Sequence, residues 1–416
     1  MTFRFLHAAD LHLDSPLRGL ETYPDAPLEQ IRNATRRALD NLVTLAQEQE
    51  VAFVLLAGDI FDHSWRDFHT ALFFAQCMGR LREAGIPVYG VSGNHDAANP
   101  IGKTLRPPDN VHFFSATKPG SVTLEHCNTV IHGQSYSSRE TSEDLAAEYP
   151  PAVAGALNIG LLHTSLTGRP GHEPYAPTHP DILGNKGYDY WALGHVHERE
   201  VVTRDPWIVF PGTIQGRHIR ETGPKGCSLV EVEDGRIRDV VHQDIDVLRW
   251  FRGNVDCGPS TCDDDVRHAV RAELQAARDA GEGRPVAVRL ECTGATRMHA
   301  QLHDRQRHFQ EEWRTLAAEM GDLWIEQIRL HTRAPEDQSQ EVDPESPLGE
   351  LMQCVAAQEL PESCTKELED LMKQLPKEIT EGEEGFNLKD PQQWQRMQDD
   401  VRELLLGRLL RQGGPQ

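Results

Sequence analysis

Five short apolar runs in the first two hundred residues each end on polar side chains of the kind that bind metal ions. The runs have the length of buried strands, and helix-compatible stretches separate several of them. They occupy residues 3–9, 51–57, 88–91, 159–162 and 190–193. Sites in open α/β sheets form beyond the carboxyl ends of strands, so we expect the five polar ends to converge on one site.

The side chains at these ends have a consistent chemistry. They are Asp10, His12, Asp59, Asn94, His163, His195 and His197. Carboxylates, imidazoles and an amide oxygen without thiolates suit Mn²⁺, Fe or Zn²⁺. Two such ions about 3.5–4 Å apart clamp a phosphoryl group and activate a water molecule. The sequence therefore predicts a site for two divalent metal ions that share one carboxylate.

Three glycines directly precede predicted ligands or ligand loops. Gly58, Gly93 and Gly194 each lie where a strand turns into a loop. Glycine tolerates positive φ and a close backbone approach that other residues do not. We expect one or the other at each position.

The net charge of −23 does not by itself suit a nucleic-acid-binding protein. More than half of it lies in residues 335–391, which hold 16 acidic and 4 basic residues. At the predicted site, two divalent ions outweigh Asp10, Asp59 and one hydroxide, so the site itself is net positive. An acidic chain of this kind can still bind a phosphodiester.

The distribution of predicted strands, helices and charged residues along the sequence indicates three regions. Residues 1–245 alternate strands and helices and then end in strands, which indicates an α/β sandwich with mixed sheets. Residues 246–333 read as a small α/β domain, and residues 334–416 as an acidic linker with helices. The leucine-rich end of this last region packs on the main body or docks on a partner helix.

Several elements are predicted more specifically. Helices are expected at 28–50, 67–84, 263–280, 297–320, 348–359, 362–375 and 392–410. A β-meander is expected from 208–210, 227–232 and 237–241, with Asp234 and Gly235 forming a hairpin turn between the last two.

Composition excludes other classes. No apolar run approaches the ~20 residues of a membrane helix, and the N-terminal residues lack a signal peptide's apolar region. Eight scattered cysteines without a Cys-x-x-Cys motif indicate reduced thiols and a cytoplasmic location. Pairing or zinc binding by Cys257 and Cys262 is the alternative for that pair.

The series of motifs resembles the calcineurin-like metallophosphoesterase superfamily, within it the SbcD-type DNA repair nucleases, and most closely the YhaO-type branch. The motifs are Ala-Ala-Asp-Leu-His-Leu-Asp (8–14), Ala-Gly-Asp-Ile-Phe-Asp (57–62), Gly-Asn-His-Asp (93–96), Gly-Leu-Leu-His-Thr-Ser (160–165), Ala-Leu-Gly-His-Val-His (192–197) and Phe-Pro-Gly-Thr-Ile-Gln-Gly-Arg-His (210–218). The resemblance implies an α/β/β/α sandwich of two mixed sheets. Residues 246–333 resemble the family's small α/β capping domain in pattern only.

The resemblance also implies roles for single residues. One metal is held by Asp10, His12, Asp59 and His197, and the other by Asp59, Asn94, His163 and His195. His95 donates a proton to the leaving-group oxygen or stabilises its charge. Asp96 orients His95, or else it caps a turn.

Further positions have open alternatives. Arg217 and His218 contact phosphate or are solvated, and Tyr175 stacks on a base or lies on an ordinary surface loop. Asp14 departs from the family pattern, where many members have glycine, and is expected to cap a turn. Arg32, Arg36 and Arg37 form a basic cluster that reads as a solvated helix face near the Asp10 loop.

By this resemblance the chain is a Mn²⁺-dependent DNA phosphodiesterase of exonuclease type, acting in DNA repair or end processing. Its expected partners are DNA and an SMC-type coiled-coil ATPase, with the ATPase contact in the C-terminal region, and a homodimer is a further expectation. The alternatives are a small-substrate metallophosphodiesterase or phosphatase with the same metal site, and a non-enzymatic scaffold. The intact ligand set argues against the scaffold.

Overall fold

The computed structural model describes most of the chain up to residue 356 and a few positions beyond it. The described residues are 1–15, 33–62, 68–98, 108–166, 175–335, 346–356, 390, 393–395, 397–398 and 401. The chain divides into two compact units. One comprises Met1–Asp256, Asp264–Thr293 and Arg307–His331, and the other Cys257–Asp263, Gly294–Gln306 and Thr332–Gln416. The proposed boundaries at 245 and 333 stay predictions.

Strands are numbered in chain order. The first sheet contains β1 (Thr2–Ala8), β2 (Phe53–Ala57), β3 (Val88–Val91), β4 (Val111–Phe113), β11 (Gly226–Glu233) and β12 (Arg236–Asp244). Their order is β12-β11-β1-β2-β3-β4. The strands β1 to β4 are parallel neighbours, and β11 pairs antiparallel with β1. The carboxyl ends of β1, β2 and β3 therefore lie along one edge of this sheet.

The second sheet is also mixed. It contains β5 (Gly120–Leu124), β6 (Thr129–Gly133), β7 (Leu157–His163), β8 (Tyr190–Gly194), β9 (Glu200–Arg204) and β10 (Trp207–Phe210). Their order is β5-β6-β7-β8-β10-β9. The strands β6, β7, β8 and β10 are parallel, whereas β5 and β9 form antiparallel edges.

Further strands and the helices complete the described elements. A three-stranded sheet contains β13 (Arg249–Asp256), β14 (Val286–Ala295) and β15 (Leu323–Arg333). The helices are α1 (Ala34–Glu48), α2 (Phe68–Glu83), α3 (Asn94–Ala98), α4 (Pro180–Gly184), α5 (Asp263–Gly281), α6 (His299–Asp304), α7 (Gln306–Met320) and α8 (Pro347–Ala356). Single-turn 3₁₀ helices lie at Glu125–Cys127 and Leu145–Glu148.

Alternation of side chains along the strands creates three apolar layers. On β1, Leu6 packs among residues of α1 and α2 on the outer face of the first sheet. Phe5 points the other way and packs with residues of both sheets. On the far face of the second sheet, Trp191 packs with Leu183 of α4. This layering confirms the expected α/β sandwich of two mixed sheets.

A buried histidine links the two sheets. His7 of β1 contacts the Tyr190 hydroxyl at 3.0 Å through Nδ1 and the Leu193 carbonyl oxygen at 3.1 Å through Nε2. Burial lowers the pKa of His7 to about 3, although the hydrogen bond to Leu193 opposes that shift. The imidazole is therefore neutral and has a structural role.

Two sequence predictions of secondary structure are wrong. Strand β10 belongs to the second sheet and pairs with β8 and β9, so it is no part of a meander with β11 and β12. The helix expected over 297–320 is broken near Arg305 into α6 and α7. The hairpin turn is confirmed, because Asp234 and Gly235 both have positive φ between β11 and β12.

The remaining expectations concern thiols, membranes and the C-terminal helices. No disulfide bond joins any of the seven cysteines that the structure describes, so the Cys257–Cys262 pairing is not formed. Within the described ranges, no helix has both the length and the apolar character needed to cross a membrane. The helix expected at 348–359 corresponds to α8. The helix at 362–375 and most of that at 392–410 lie outside the described residues.

Candidate metal centre

The predicted ligands come together at facing strand ends of the two sheets. Asp10, Asp59 and Asn94 follow β1, β2 and β3, while His163 ends β7 and His195 follows β8. Among the described residues, three groups of potential ligands have their ligand atoms within 4.8 Å of one another. Two of them contain predicted ligands alone: Asp10, His12 and His197, and Asp10, Asp59 and His163. The third combines His12 with Asp62 and His95. The convergence expected from strand order is thus present in the structure.

Asp59 occupies the middle of the centre. Its Oδ2 lies 3.5 Å from Nε2 of His163 and 3.8 Å from Nε2 of His12. Its Oδ1 accepts a hydrogen bond from the backbone N–H of His95 at 2.9 Å. The carboxylate therefore faces both groups of ligands, as a carboxylate shared by two ions must.

Hydrogen bonds fix the orientation of two ligand imidazoles. Nδ1 of His163 donates to the Ala57 carbonyl oxygen at 2.9 Å, which turns Nε2 toward Oδ1 of Asn94 at 3.0 Å. Nδ1 of His197 donates to Oε1 of Glu221 at 2.7 Å. A ring nitrogen held in this way presents the lone pair of the other nitrogen to a metal.

Several of the predicted ligand atoms lack hydrogen-bond donors and could instead bind a divalent cation. Nε2 of His12 and Nε2 of His197 lie 3.3 Å apart, and two lone pairs at that distance need a proton or a cation between them. Oδ1 of Asp10 is buried and has no hydrogen-bond partner within the described part of the chain. Buried polar atoms are normally satisfied, so this unsatisfied set fits the two ions that the motif resemblance implies.

The pKa values of the buried ligands follow from burial and charge. Burial lowers the pKa of His12 well below its usual range, and the nearby Arg217 guanidinium adds to this, so the imidazole is neutral. Burial alone would raise the pKa of Asp59, but the facing imidazoles, His163 first, hold it well below its usual range. A neutral imidazole and an ionised carboxylate are the forms that bind metals.

The backbone around the ligands is unusual. Asp10, His12, Asp59 and His195 have positive φ values of 51°, 40°, 51° and 101°. Non-glycine residues adopt this region rarely, and such conformations concentrate at functional sites.

The three predicted glycines each have a steric reason. Gly58 has a φ of 92°. A β-carbon on Gly93 would collide with Oδ1 of Asp59, and one on Gly194 would collide with the Ala57 carbonyl oxygen. The glycine prediction is confirmed, by positive φ at the first position and by close approach at the other two.

His95 is paired with a carboxylate other than the one predicted. Nδ1 of His95 donates to Oδ1 of Asp62 at 2.9 Å, and both side chains are partly buried. The His95 ring lies edge-on to that of His12, with centroids 4.8 Å apart. Burial opposes protonation, but the Asp62 hydrogen bond and the Asp59 charge outweigh it and raise the pKa of His95.

Asp96 has the alternative role considered from the sequence. Its carboxylate accepts hydrogen bonds from the backbone N–H groups of Ile60, Phe61 and Gly93. The assignment of Asp96 as the residue that orients His95 is therefore wrong. Burial and the neighbouring Asp59 charge raise the pKa of Asp96 to about 6. Asp96 joins the loops after β2 and β3, which carry Asp59 and Asn94.

Glu221 and Asp62 are the site residues that sequence reasoning missed. Asp62 ends the motif at 57–62, three residues after Asp59, but its position in the sequence did not indicate a contact with His95. Glu221 lies beyond the last motif, and only its position four residues after Arg217 could have drawn attention to it.

The three predicted substrate-binding residues all lie at this edge. Nη2 of Arg217 donates to Oε1 of Glu221 at 3.1 Å, and His218 lies 3.6 Å from the same oxygen. The half-buried Tyr175 packs against His195, with ring centroids 5.3 Å apart. Their contacts with substrate stay predictions.

Asp14 anchors the loop that follows β1. Its carboxylate accepts hydrogen bonds from Arg36 of α1 and from the Thr70 hydroxyl of α2, and its backbone N–H donates to Thr35. Asp14 also has a positive φ of 59°, where glycine would be unstrained. Arg36 is therefore held in an ion pair, in contrast to the solvated role expected for its cluster. Arg32 lies outside the described residues.

Two regions of the chain, one containing the predicted metal ligands and one following the two large sheets, match known protein families. Residues 3–199 match the family described as Calcineurin-like phosphoesterase, and residues 250–333 match Metallophosphoesterase YhaO, middle domain. Over 294 residues the chain is 38% identical to the metallophosphoesterase YhaO of Bacillus subtilis, covering 70% of this chain and 71% of that protein.

More distant matches extend the comparison. The chain is 26% identical over 350 residues to the DNA double-strand break repair protein Mre11 of Methanopyrus kandleri, covering 74% of this chain and 72% of that protein. A dimetal phosphatase from Danio rerio aligns with a TM-score of 0.36 at 15% identity, over 55% of this chain and 92% of that one. The identity and coverage of the Bacillus match, together with both family matches, show that the chain belongs to the calcineurin-like metallophosphoesterases, in their YhaO-type branch.

Proposed function

We propose that this metallophosphoesterase is a Mn²⁺-dependent DNA phosphodiesterase of exonuclease type that acts in DNA repair or end processing. The observation that carries the proposal is the position of Asp59, whose carboxylate faces ligands of both groups and accepts a hydrogen bond from the backbone N–H of His95. Two divalent ions bound there would clamp the phosphoryl oxygens and lower the pKa of an attacking water.

The residues of the chain supply orientation and proton transfer. Asp10, His12 and His197 would hold one ion together with Asp59, and Asn94, His163 and His195 would complete the other site. His95 donates a proton to the departing ribose oxygen, and the Asp62 carboxylate keeps its Nδ1 protonated and its ring oriented. The Asp62 hydrogen bond and the Asp59 charge raise the pKa of His95, which favours the protonated form of this donor.

DNA is favoured over a small phosphodiester by two observations. The Mre11 relative is named as a DNA double-strand break repair protein, and the match to it covers 74% of this chain. Residues 250–333 match a separate middle domain, which a small substrate would not require. We also propose a cytoplasmic location, because the eight cysteines are scattered without a Cys-x-x-Cys motif, a pattern typical of proteins that keep their thiols reduced.

The test is degradation of end-labelled linear DNA, both single- and double-stranded, with Mn²⁺ or with EDTA. Mn²⁺-dependent shortening from one end supports the proposal, and the labelled products reveal its polarity. Asn94→Ala removes a ligand oxygen and is expected to abolish cleavage. Serine substitution of Asn128, which donates to the Gly155 carbonyl away from the site, is the matched control.

One outcome would replace the proposal. Hydrolysis of bis-p-nitrophenyl phosphate without cleavage of any DNA, in the presence of bound Mn²⁺, would identify a small-substrate enzyme. Failure to bind metal at all would instead point to a scaffold.

We further propose that the enzyme acts with an SMC-type coiled-coil ATPase through its acidic C-terminal region, residues 334–416, and forms a homodimer. The leucines between 404 and 410 support a helix-docking contact. Co-purification of the ATPase with the full chain but not with residues 1–333 is the expected result. Equal retention of the ATPase by both would contradict it, and light scattering reports the oligomeric state.

A further inference from the structure

A cavity of about 770 Å³ opens beside the metal centre. Its lining includes His197, Arg199, Arg217, Arg220, Glu221 and Lys225. His197 belongs both to this basic cavity and to the first group of metal ligands. The basic cavity therefore continues directly from the place where a scissile phosphate would bind.

The charge of the basic cavity is opposite to that of the protein. Its lining contains four cations, of which Arg217 is paired with Glu221. Two further carboxylates, Glu198 and Glu200, lie on its wall. With the histidines neutral the lining carries a net charge of +1, whereas the whole chain carries −23. A local excess of cations in an acidic protein favours an anionic ligand.

Lys225 is the most informative residue of the lining. The residue as a whole is 8% exposed, and within the described part of the chain its ammonium forms no hydrogen bond and no ion pair. Burial lowers its pKa, and the charges of Glu221, Glu198 and Asp246 oppose that shift. An ammonium that lines a cavity without a direct partner gains an ion pair from a ligand that supplies an anionic oxygen.

Hydrogen bonds fix the position of Lys225 relative to the metal ligands. The backbone N–H of Gly226 donates to the Thr213 carbonyl oxygen at 3.2 Å, and the Thr213 hydroxyl donates to the Asp10 carbonyl oxygen at 2.7 Å. On the other side, the backbone N–H of Lys225 lies 3.3 Å from Oδ2 of Asp246. The lysine is thus part of the same rigid edge as the metal ligand Asp10.

We propose that the basic cavity binds a second backbone phosphate of the substrate strand, adjacent to the phosphate that is hydrolysed, through Lys225, Arg199 and Arg220. This inference rests on the proposed DNA substrate, since a small phosphodiester has no second phosphate. Arg199 and Arg220 are exposed and form no ion pair within the described ranges, so both are available to a phosphate oxygen. Arg217, held by Glu221, supplies positive charge at the boundary between the two phosphates.

The test compares Lys225→Met and Arg220→Gln with Lys118→Met, which removes one charge from an exposed residue outside the basic cavity. Binding of a fluorescein-labelled single-stranded oligonucleotide is measured by anisotropy in EDTA, where no cleavage occurs, at several salt concentrations. Turnover of the oligonucleotide and of bis-p-nitrophenyl phosphate is measured with Mn²⁺. Melting temperatures establish that each variant is folded, and Arg220→Gln, at an exposed position, guards against misfolding of the buried variant.

Each cavity variant is expected to bind the oligonucleotide about tenfold more weakly. The slope of log affinity against log salt should fall by about 0.7, the value for one lost phosphate contact on a single strand. The loss of turnover should be at least about tenfold larger on the oligonucleotide than on the small diester. Lys118→Met should match the wild type in every measurement.

Wild-type affinity and salt slope in folded Lys225→Met and Arg220→Gln would overturn the inference while leaving the DNA substrate intact. A wild-type enzyme that hydrolyses the small diester but neither binds nor cleaves DNA would overturn the proposed function, and the inference with it. The two failures are distinguishable because the first appears only in the variants and the second in the wild type.

Discussion

Glu221 accepts a 2.7 Å hydrogen bond from Nδ1 of His197, so a carboxylate outside the predicted ligand set holds one of the predicted metal ligands in place. The same carboxylate also accepts from the backbone N–H of Arg217 at 2.7 Å. The Glu221 carboxylate is ionised, because Arg217 and His197 hold the pKa of Glu221 well below its usual range although burial opposes this.

Replacing this carboxylate should weaken metal binding. Glu221→Gln keeps the size of the side chain but removes the charge that orients His197, and such partners typically contribute about 10–100-fold in metal affinity. We expect a loss of that size for Mn²⁺, measured by isothermal titration calorimetry. Glu198→Gln, an exposed glutamate one residue from His197, should retain wild-type affinity. Equal affinity in Glu221→Gln and wild type would show that His197 is oriented by other contacts.

Asp62 should affect turnover without affecting metal binding. Asp62→Asn removes the charge that keeps His95 protonated and oriented, so kcat should fall by about 10²-fold or more while Mn²⁺ affinity is unchanged. The pKa of His95 should fall, which moves the alkaline limb of the rate profile to lower pH. Steady-state kinetics on the labelled oligonucleotide, whose departing ribose oxygen needs the proton, measure both the fall in kcat and the pH shift. Asp40→Asn, which breaks a half-exposed pair with Arg80, is the matched control.

The close contact at Gly194 makes it intolerant of any side chain. In Gly194→Ala, the added β-carbon would meet the Ala57 carbonyl oxygen and lie 3.0 Å from Nδ1 of His163. We expect the free energy of unfolding to fall by about 1–3 kcal/mol and metal affinity to fall with it. Gly79→Ala lies in α2 with no atom within 4 Å of the added carbon, so it should be neutral or stabilising by up to about 1 kcal/mol. Urea denaturation separates these cases, and an unchanged midpoint in Gly194→Ala would contradict the contact.

His7 should make stability depend on pH. Its pKa of about 3 in the folded protein lies below the usual 6.5, so the unfolded chain binds an extra proton between these values. The contribution of neutral His7 to the free energy of unfolding is fully present above pH 6.5 and is lost as the pH falls toward 3. Relative to His7→Gln, the wild type should lose about 2 kcal/mol of unfolding free energy between pH 7 and pH 5. The exposed His126→Gln should follow the wild-type curve, and parallel curves for wild type and His7→Gln would refute the prediction.

Most central strands were predictable because they are buried on both faces. Residues of β2 are all buried, and such strands read as continuous apolar runs that stand out in a sequence. The edge strands β5 (Gly120–Leu124) and β9 (Glu200–Arg204) were missed, since both are partly exposed and contain polar residues. The buried central strand β6 was also missed, because polar residues and a glycine interrupt its apolar pattern. The place of β10 in the second sheet depends on a crossover, which neighbouring strands in the sequence do not reveal.

The candidate site divides along similar lines. The metal ligands follow buried strands, so their convergence could be predicted from strand order. Which carboxylate reaches His95 depends on the conformation of the loop after β2. Asp59 has a positive φ in this loop, and Asp62 follows it by three residues, so the sequence alone does not show where the Asp62 side chain lies. Glu221 comes from a segment without periodicity, between β10 and β11, and its contact with His197 joins residues 24 positions apart. Contacts of this kind are set by tertiary structure and leave no local pattern.

The two sheets each supply only part of the donor set, which has a consequence for how the protein matures. Asp10, Asp59 and Asn94 stand on the first sheet, whereas His163, His195 and His197 stand on the second. Neither sheet alone offers a complete set of donors, so tight ion uptake must wait until both have docked. Only molecules in which both sheets have folded and docked would then bind the ions. A newly synthesised chain with one folded sheet would have no hydrolase activity.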